Sequence, residues 1–296
     1  MSIQFKNIAI IGTHTNPCVA ETVTQLFHSL NNHADIYIEE ATAKTLSVDT
    51  KEVCSLKAIA ETCDLAVVVG GDGNLLNAGR NLSLIRAIPI VGINRGKLGF
   101  LTDITPEQIE QRLLPILHGD YNQEKRFMLE ASIKRTADVK FNNITVALND
   151  IVIAAGQHSK LFQMHVHIDG RYAFDQRADG MIIATPTGST AHALSAGGPI
   201  MHPSLDAVVL VPMFSHSLNS RPIVIGADSS IEITIGQYNR PEPTLSFDGH
   251  IKTPLYPDDK VMFRKCDKSV TLLHPKDYDY FHSLRSKLHW GKMLFP

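Results

Sequence analysis

The residues best suited to do chemistry are Gly70-Gly71-Asp72-Gly73-Asn74, a carboxylate set among three glycines. Glycine tolerates positive φ and lets a ligand approach the backbone closely. The exposed N–H groups of such a turn, at the start of a helix, form a cradle for phosphate. A negative charge is unexpected there, because it repels the ligand. It makes sense if the Asp72 carboxylate takes the proton of a hydroxyl, or if it holds a metal ion. The plainer reading is a glycine-rich turn whose aspartate caps a helix.

Two further stretches add to the case. Asn94-Arg95-Gly96-Lys97-Leu98-Gly99-Phe100-Leu101-Thr102-Asp103 is again rich in glycine and carries two cations. Arg95 and Lys97 can face phosphates, or can be ordinary solvated turn residues. The third stretch runs from Asp179-Gly180-Met181 through Thr185-Pro186-Thr187-Gly188-Ser189-Thr190-Ala191-His192 to Pro199. Its hydroxyls and glycines suit hydrogen bonds to the sugars and phosphates of a nucleotide. Ser189 and His192 invite a nucleophile reading, but the run lacks the G-x-S-x-G elbow, which argues against a serine hydrolase.

These stretches need elements to hold them. Asn7–Ile11, Asp35–Ile38, Leu65–Val69 and Ile88–Ile93 read as strands, with Thr22 to Leu30 a helix between the first two. The runs at Leu65 and Ile88 are apolar on both faces, as strands covered by helices on both sides must be. This is the pattern of a doubly wound α/β domain, in which ligands gather beyond the carboxyl ends of the strands. Thr105, Pro106 and Gln108 open a further helix with a capping box. Ile109, Leu113, Ile116 and Leu117 form its apolar stripe, Pro115 distorts its last turn and Gly119 ends it.

From about Arg126 to His274 the hydrophobic period switches to two. Phe162–Ile168 alternates and is followed by the hairpin pair Asp169-Gly170, and Ile231–Ile235 and Val261–Arg264 continue the pattern. The expected layout is an α/β domain over residues 1–122, a mainly β domain over 123–274 and a helical tail over 275–296. In that tail Phe281, Leu284, Leu288 and Trp290 form an apolar side that packs on the α/β domain or on another subunit. No internal repeat is visible.

Composition narrows the class. The chain has 296 residues, 44% apolar and 20% charged, enough for two cores. No apolar run reaches the ~20 residues of a membrane span, and the start MSIQFKNIAIIG lacks the features of a signal peptide. Cys18, Cys54, Cys63 and Cys266 form no C-x-x-C pair, so four reduced thiols in a cytoplasmic protein are expected. A net charge of -2 argues against a general grip on nucleic acid. The fourteen histidines are scattered and show no H-E-x-x-H spacing.

In order and spacing, GGDGN, NRGKLGFLTD, DGMIIATPTGSTAHALSAGGPI and the closing LLHPKDYDYF resemble the NAD kinase family over nearly the whole chain. GGDG alone is less specific, since diacylglycerol kinases and 6-phosphofructokinases share a related motif. The resemblance implies an amino-terminal α/β domain, a carboxy-terminal mainly β domain and a nucleotide site between them. It implies transfer of the ATP γ-phosphoryl group, with Mg²⁺ bridging the phosphates, to the 2′-hydroxyl on the adenosine side of NAD. Inorganic polyphosphate is an alternative donor in the family, and a homodimer or homotetramer is expected.

By the same resemblance Asp72 is the proton acceptor, with Gly73 beside it. Asn149 and Asp150 match an Asn-Glu pair that touches the ribose and phosphate region of NAD. Lys160 falls at a basic or polar binding position, and Arg177 and Asp179 match positions facing the nicotinamide half. Thr190, Ala191, His192, Ala193, Leu194 and Ser195 match the segment that wraps the adenosine part, and His250 matches another contact. Two positions depart from the usual pattern. Asp150 stands where glutamate is usual, and His192 where tyrosine is usual. A lipid or sugar kinase sharing only GGDG fits poorly with the long hydroxyl-rich motif. A non-catalytic NADP(H) sensor would gain nothing from Asp72.

Overall fold

The computed structural model describes residues 3–12, 17–44, 46, 53–95, 99–156, 161–215, 219–237 and 243–289. Lys97, Lys160 and Trp290 lie outside the described residues. The chain divides into two compact units, Met1–Lys125 with Val270–Pro296, and Arg126–Ser269. The described part of the tail, residues 275–289, groups with the first unit, and the end of the last strand, Val270–His274, goes with it.

The first unit begins with β1 (Asn7–Gly12), α1 (Pro17–Leu30), β2 (Asp35–Glu39), α2 (Glu40–Ala43), β3 (Val53–Cys54), α3 (Leu56–Thr62), β4 (Leu65–Gly70), α4 (Asp72–Ile85) and β5 (Ile90–Asn94). The strands lie in the order β3-β2-β1-β4-β5, all parallel. Every residue of β4 and β5 is buried, as their two-sided apolar sequence requires. One face packs Ile8, Ile10, Val67 and Val91 against Val23 and Leu26 of α1. Strand β1 pairs with β2 on one side and β4 on the other, which makes β1/β4 the switch point of the winding. A crevice opens beyond the carboxyl ends of the strands at such a point. The turn Gly70-Gly71 leaves β4 there.

The helix expected after Thr105 is irregular throughout. Pro106–Gln108 is 3₁₀, Ile109–Leu113 is π-helical and α5 (Leu114–Leu117) is α-helical. Pro115 cannot donate to the carbonyl a turn behind it. The strain is taken up before the proline, not after it, where Leu114 N donates to Ile109 O. Ile109, Leu113, Ile116 and Leu117 are buried as the stripe predicts, and Gly119 ends the segment with φ +91°.

The second unit takes in most of β6 (Asn122–Lys134), then β7 (Asn142–Ala147), β8 (Asp150–Ala154), β9 (Phe162–Ile168), β10 (Arg171–Ala178), β11 (Gly180–Ala184), α6 (His192–Ser195), β12 (Ala207–Met213), β13 (Ile223–Gly226), β14 (Ile231–Ile235), β15 (Thr244–Phe247), β16 (Ile251–Pro254) and the first part of β17 (Lys260–His274). One antiparallel sheet has the order β10-β9-β14-β17, and another β13-β12-β11-β8-β15-β16. Residues from both, including Phe162, Met181, Phe247 and Phe263, share one core. The Asp169-Gly170 pair joins β9 to β10 with φ of 51° and 73°, as the primed hairpin turns require.

The chain then returns to the first unit. The end of β17 lies parallel to β5, with Leu272 opposite Ile90, and α7 (Tyr280–Leu288) follows. Asp279 caps α7 by accepting from Phe281 N at 2.8 Å. The buried positions are Tyr280, Ser283 and Leu284, whereas Phe281 is exposed. The apolar side expected from Phe281, Leu284 and Leu288 is therefore rotated. Burying Tyr280 and Leu284 in one face turns Phe281 to solvent and brings Lys287 onto the inward side. Among the described residues no helix is long and apolar enough to cross a membrane.

Candidate active site

Strand β4 ends at Gly70 with φ +140°, a backbone open to glycine, and a Cβ there would overlap the Asn74 side chain. Asn74 Nδ2 donates to Val69 O at 3.2 Å and fastens the turn. Gly71 is the residue preceding α4 and supplies no side-chain cap. The helix therefore opens with uncapped first-turn amides, favourable to an anion. Asp72 is the first residue of the helix, not its cap, so the plainer reading of a capping aspartate fails.

The carboxylate of Asp72 turns instead to the loop after β5. Phe100 N donates to Oδ2 at 2.7 Å. Leu101 N, Thr102 N and Thr102 Oγ1 donate to Oδ1 at 3.1, 3.3 and 3.2 Å. That loop is itself folded onto β5, since Gly99 N donates to Thr102 O, and Asn94 N to Ile104 O. Oδ1 is thus saturated with donors, and Oδ2 holds one amide. Lys287 Nζ of α7 lies 3.6 Å from Oδ2, with 23% of its side chain exposed against 27% for Asp72. The same Nζ sits 4.7 Å from the centre of the Phe100 ring. Lys287 is the partner that sequence reasoning missed. The only available signal was a lysine near the end of an amphipathic tail.

Arg95 is anchored on α1 by an ion pair with Glu21 at 2.6 Å and a hydrogen bond to Cys18 O at 2.8 Å. Asp103, at the end of the same motif, is buried and accepts from His274 Nδ1 at 2.9 Å, while His274 Nε2 lies 3.6 Å from Glu124. Tyr278 stacks on the His274 ring. This cluster ties the loop that holds Asp72 to the last strand.

The second unit carries its own group of matched residues. The Asn149-Asp150 pair opens β8 and is clamped by Asp248, whose carboxylate accepts from Leu148 N, Asn149 N and Asp150 N at 3.0, 2.8 and 3.2 Å. Asp248 is in the left-handed region at φ 46°. Burial raises its pKa above the ordinary carboxylate range, against those three amides, and the charge of Asp150 pushes the same way. Asp150 is fully buried, and one of its oxygens, Oδ2, has no hydrogen-bond partner. Its Oδ1 lies 3.3 Å from His192 Nδ1. The hydrogen bond to Asp150 raises the His192 pKa, helped by the charges of Asp150 and Asp248 and opposed by burial.

Thr185 Oγ1 donates to Leu148 O at 2.6 Å, binding the start of the long motif to the residue before Asn149. Thr190 and Ala191 lead into α6, where Ala193 is buried and His192 and Ser195 are exposed. His192, Ser195 and Gly249 line a pocket of about 360 Å³ with Val152, Ile182, Met213 and Phe214. Its walls are mostly apolar, with His192 as the polar ring at the edge, and it is large enough for a flat heterocycle. Phe214, exposed and at φ 46°, is a second aromatic that sequence reasoning missed. His250 is exposed in the turn after Asp248, one residue beyond Gly249. Arg177 is exposed on β10, and Asp179 follows it with its backbone bonded to Ala155 N and Met213 O. Neither lines the pocket that holds His192.

A parallel switch-point turn bearing a carboxylate, with a β unit bearing a hydroxyl-rich loop, defines a two-domain phosphotransferase of the GGDG type. Comparison with known proteins makes this specific. The model of the ATP-NAD kinase N-terminal domain matches residues 15–121, and that of the ATP-NAD kinase C-terminal domain matches residues 148–274. The chain belongs to the NAD kinase family. It is 48% identical to the NAD kinase of Francisella tularensis subsp. novicida, with all of both chains covered. It is 46% identical to that of Marinobacter nauticus, with 98% of each covered. Among solved structures it is similar to yeast NADH kinase complexed with NADH, at 25% identity, TM-score 0.89, covering 97% of this chain and 89% of that one. An Archaeoglobus fulgidus NAD kinase in complex with ATP shares the fold at 23% identity, TM-score 0.74, covering 96% and 98%.

Proposed function

We propose that this NAD kinase uses Asp72 Oδ2 to take the proton of the 2′-hydroxyl on the adenosine ribose of NAD as the ATP γ-phosphoryl group is transferred, producing NADP. The observation that carries this reading is the unequal loading of the carboxylate. Three donors hold Oδ1, and Oδ2 keeps room for a hydroxyl beside a single amide.

A carboxylate is a far weaker base than a ribose alkoxide. It does not strip a ribose hydroxyl before attack. In a loose phosphoryl-transfer transition state it need not, because the hydroxyl becomes acidic only as its oxygen bonds to phosphorus. The 2′-O–Pγ bond forms, the bridging Pγ–O bond breaks with its electron pair going to ADP, and the proton passes to Asp72. The uncapped first-turn amides of α4, Gly73 among them, are suited to the phosphates.

Bound with the ATP phosphates, Mg²⁺ would supply neutralising charge for the transfer. Among the described residues no group of three or more His, Cys, Asp or Glu side chains is placed to hold a metal ion. For NAD, Asn149 and Asp150 are assigned to the ribose and phosphate region. Thr190 to Ser195 are assigned to the adenosine part, with His192 at the edge of the apolar pocket. His250 and Lys160 are further contacts, and Arg177 and Asp179 are assigned to the nicotinamide half. A cytoplasmic homodimer or homotetramer completes the reading, with inorganic polyphosphate the alternative to ATP as donor in this family.

The test is Asp72→Asn, with NADP formation and NAD binding by calorimetry measured on the same preparations. General-base catalysis contributes ~10²–10⁴-fold, so kcat falls by about that range while NAD still binds. A variant that binds NAD and turns over normally removes Asp72 from the proton transfer.

A further inference from the structure

The Asp72 carboxylate presents a difficulty for the reaction. It must stay ionised to receive a proton, yet an ionised group beside the acceptor hydroxyl repels the incoming polyanionic phosphate. The structure contains an answer on α7. We propose that Lys287 is a positioning residue that compensates the charge of Asp72, so that the donor phosphate can reach the hydroxyl without displacing the carboxylate. This inference rests on the reading of Asp72 as the proton acceptor.

Lysine in the last turn of a helix favours the helix dipole on any protein surface. Lys287 goes beyond that. It shares a face with the buried Tyr280, Ser283 and Leu284, so burying that face carries its side chain inward. The ammonium stops 3.6 Å from Asp72 Oδ2, the oxygen left open, and not beside the saturated Oδ1. It rests over the ring of Phe100, the residue whose amide holds the same Oδ2 at 2.7 Å. One residue therefore orients both the cation and the carboxylate. Arg95, the described cation of the second motif, is tied to Glu21 and Cys18 O.

A purely structural lysine would support the fold, and its loss would lower stability. A charge compensator gives a different signature. Full-length Lys287→Gln and Lys287→Ala are expected to lose about 10- to 100-fold in kcat, with NAD binding by calorimetry unchanged and the thermal midpoint near that of the parent. Lys287→Arg, which keeps the charge and the stack on Phe100, should retain most of the turnover. Ethylammonium added to Lys287→Ala should restore part of the lost rate. Because the lysine acts through Asp72, Asp72→Asn/Lys287→Gln should be no slower than Asp72→Asn alone.

Normal turnover in Lys287→Gln overturns the inference, as does a double variant in which the two losses multiply. A loss that neither Arg nor ethylammonium relieves assigns Lys287 to folding and overturns it equally. The two readings fail differently. Normal turnover in Asp72→Asn sinks the assignment of the base, whereas an inactive Asp72→Asn beside a normal Lys287→Gln sinks only the compensator.

Discussion

Gly99 lies against Asp72 so closely that a Cβ built on it would overlap Asp72 Oδ1 and crowd Thr102 Oγ1. The glycine is what lets the loop after β5 wrap three amides around the carboxylate. Its position in the chain, remote from Asp72, gives no hint of the contact.

Gly99→Ala should therefore act on catalysis before it acts on stability. The added methyl must push away either the carboxylate or the Thr102 hydroxyl, and a misplacement near 1 Å in a reacting group costs on the order of 10²-fold in rate. The expected result is a fall of about that size in kcat, with thermal stability changed far less. Steady-state kinetics beside a thermal melt decides it. A fully active Gly99→Ala variant would show that Asp72 can turn over without its loop contacts.

Asp150 and His192, the two departures from the family pattern, touch each other at 3.3 Å. The shorter carboxylate is met by the imidazole, so the two are expected to act as one unit. Asp150→Glu forces an extra methylene into a fully buried site, and His192→Tyr leaves Asp150 without its ring partner. Each alone should raise the KM for NAD, and the double variant should cost less than the sum, with a coupling of about 0.5 kcal/mol or more. Additive costs in the cycle would disprove the coupling.

The same pair sets a pH dependence. The His192 pKa is raised in the folded protein, so its stabilisation is complete below the unfolded value of about 6.5 and fades as pH rises through the folded value. With 61% of the side chain exposed the effect is small, about 0.5 kcal/mol at most. Urea titrations of the parent and His192→Asn should differ at pH 5.5 and converge by about pH 8.5.

His274 offers a larger effect, because it is buried. Burial disfavours its charge, but the Asp103 and Glu124 carboxylates more than offset that and hold its pKa above the ordinary range. Removing the ring leaves Asp103 buried without its partner, so His274→Ala should destabilise the protein by about 3–5 kcal/mol. The sign with pH follows the raised pKa. The stabilisation is present below about pH 6.5 and is lost as pH climbs through the folded value. A His274→Ala variant as stable as the parent at pH 6 would refute it.

The parallel strands were legible because β4 and β5 are apolar on both faces, and that pattern has one stable environment, between helices. The Asp169-Gly170 hairpin was equally plain, since few residues accept its positive φ angles. GGDG at the end of β4 placed Asp72 at a strand edge from local pattern alone. Local pattern has no access to contacts between residues distant in the chain. The loading of Asp72 Oδ1 by Leu101 and Thr102 depends on how a later loop folds back on β5. The arrival of Lys287 depends on which face of α7 is buried, and there Leu284 is buried as the stripe implied, whereas Phe281 is exposed. Tertiary packing set Tyr280, not Phe281, beside the buried Leu284, and burying those two large side chains together leaves Phe281 pointing outward. That rotation is what brings a cation to the carboxylate.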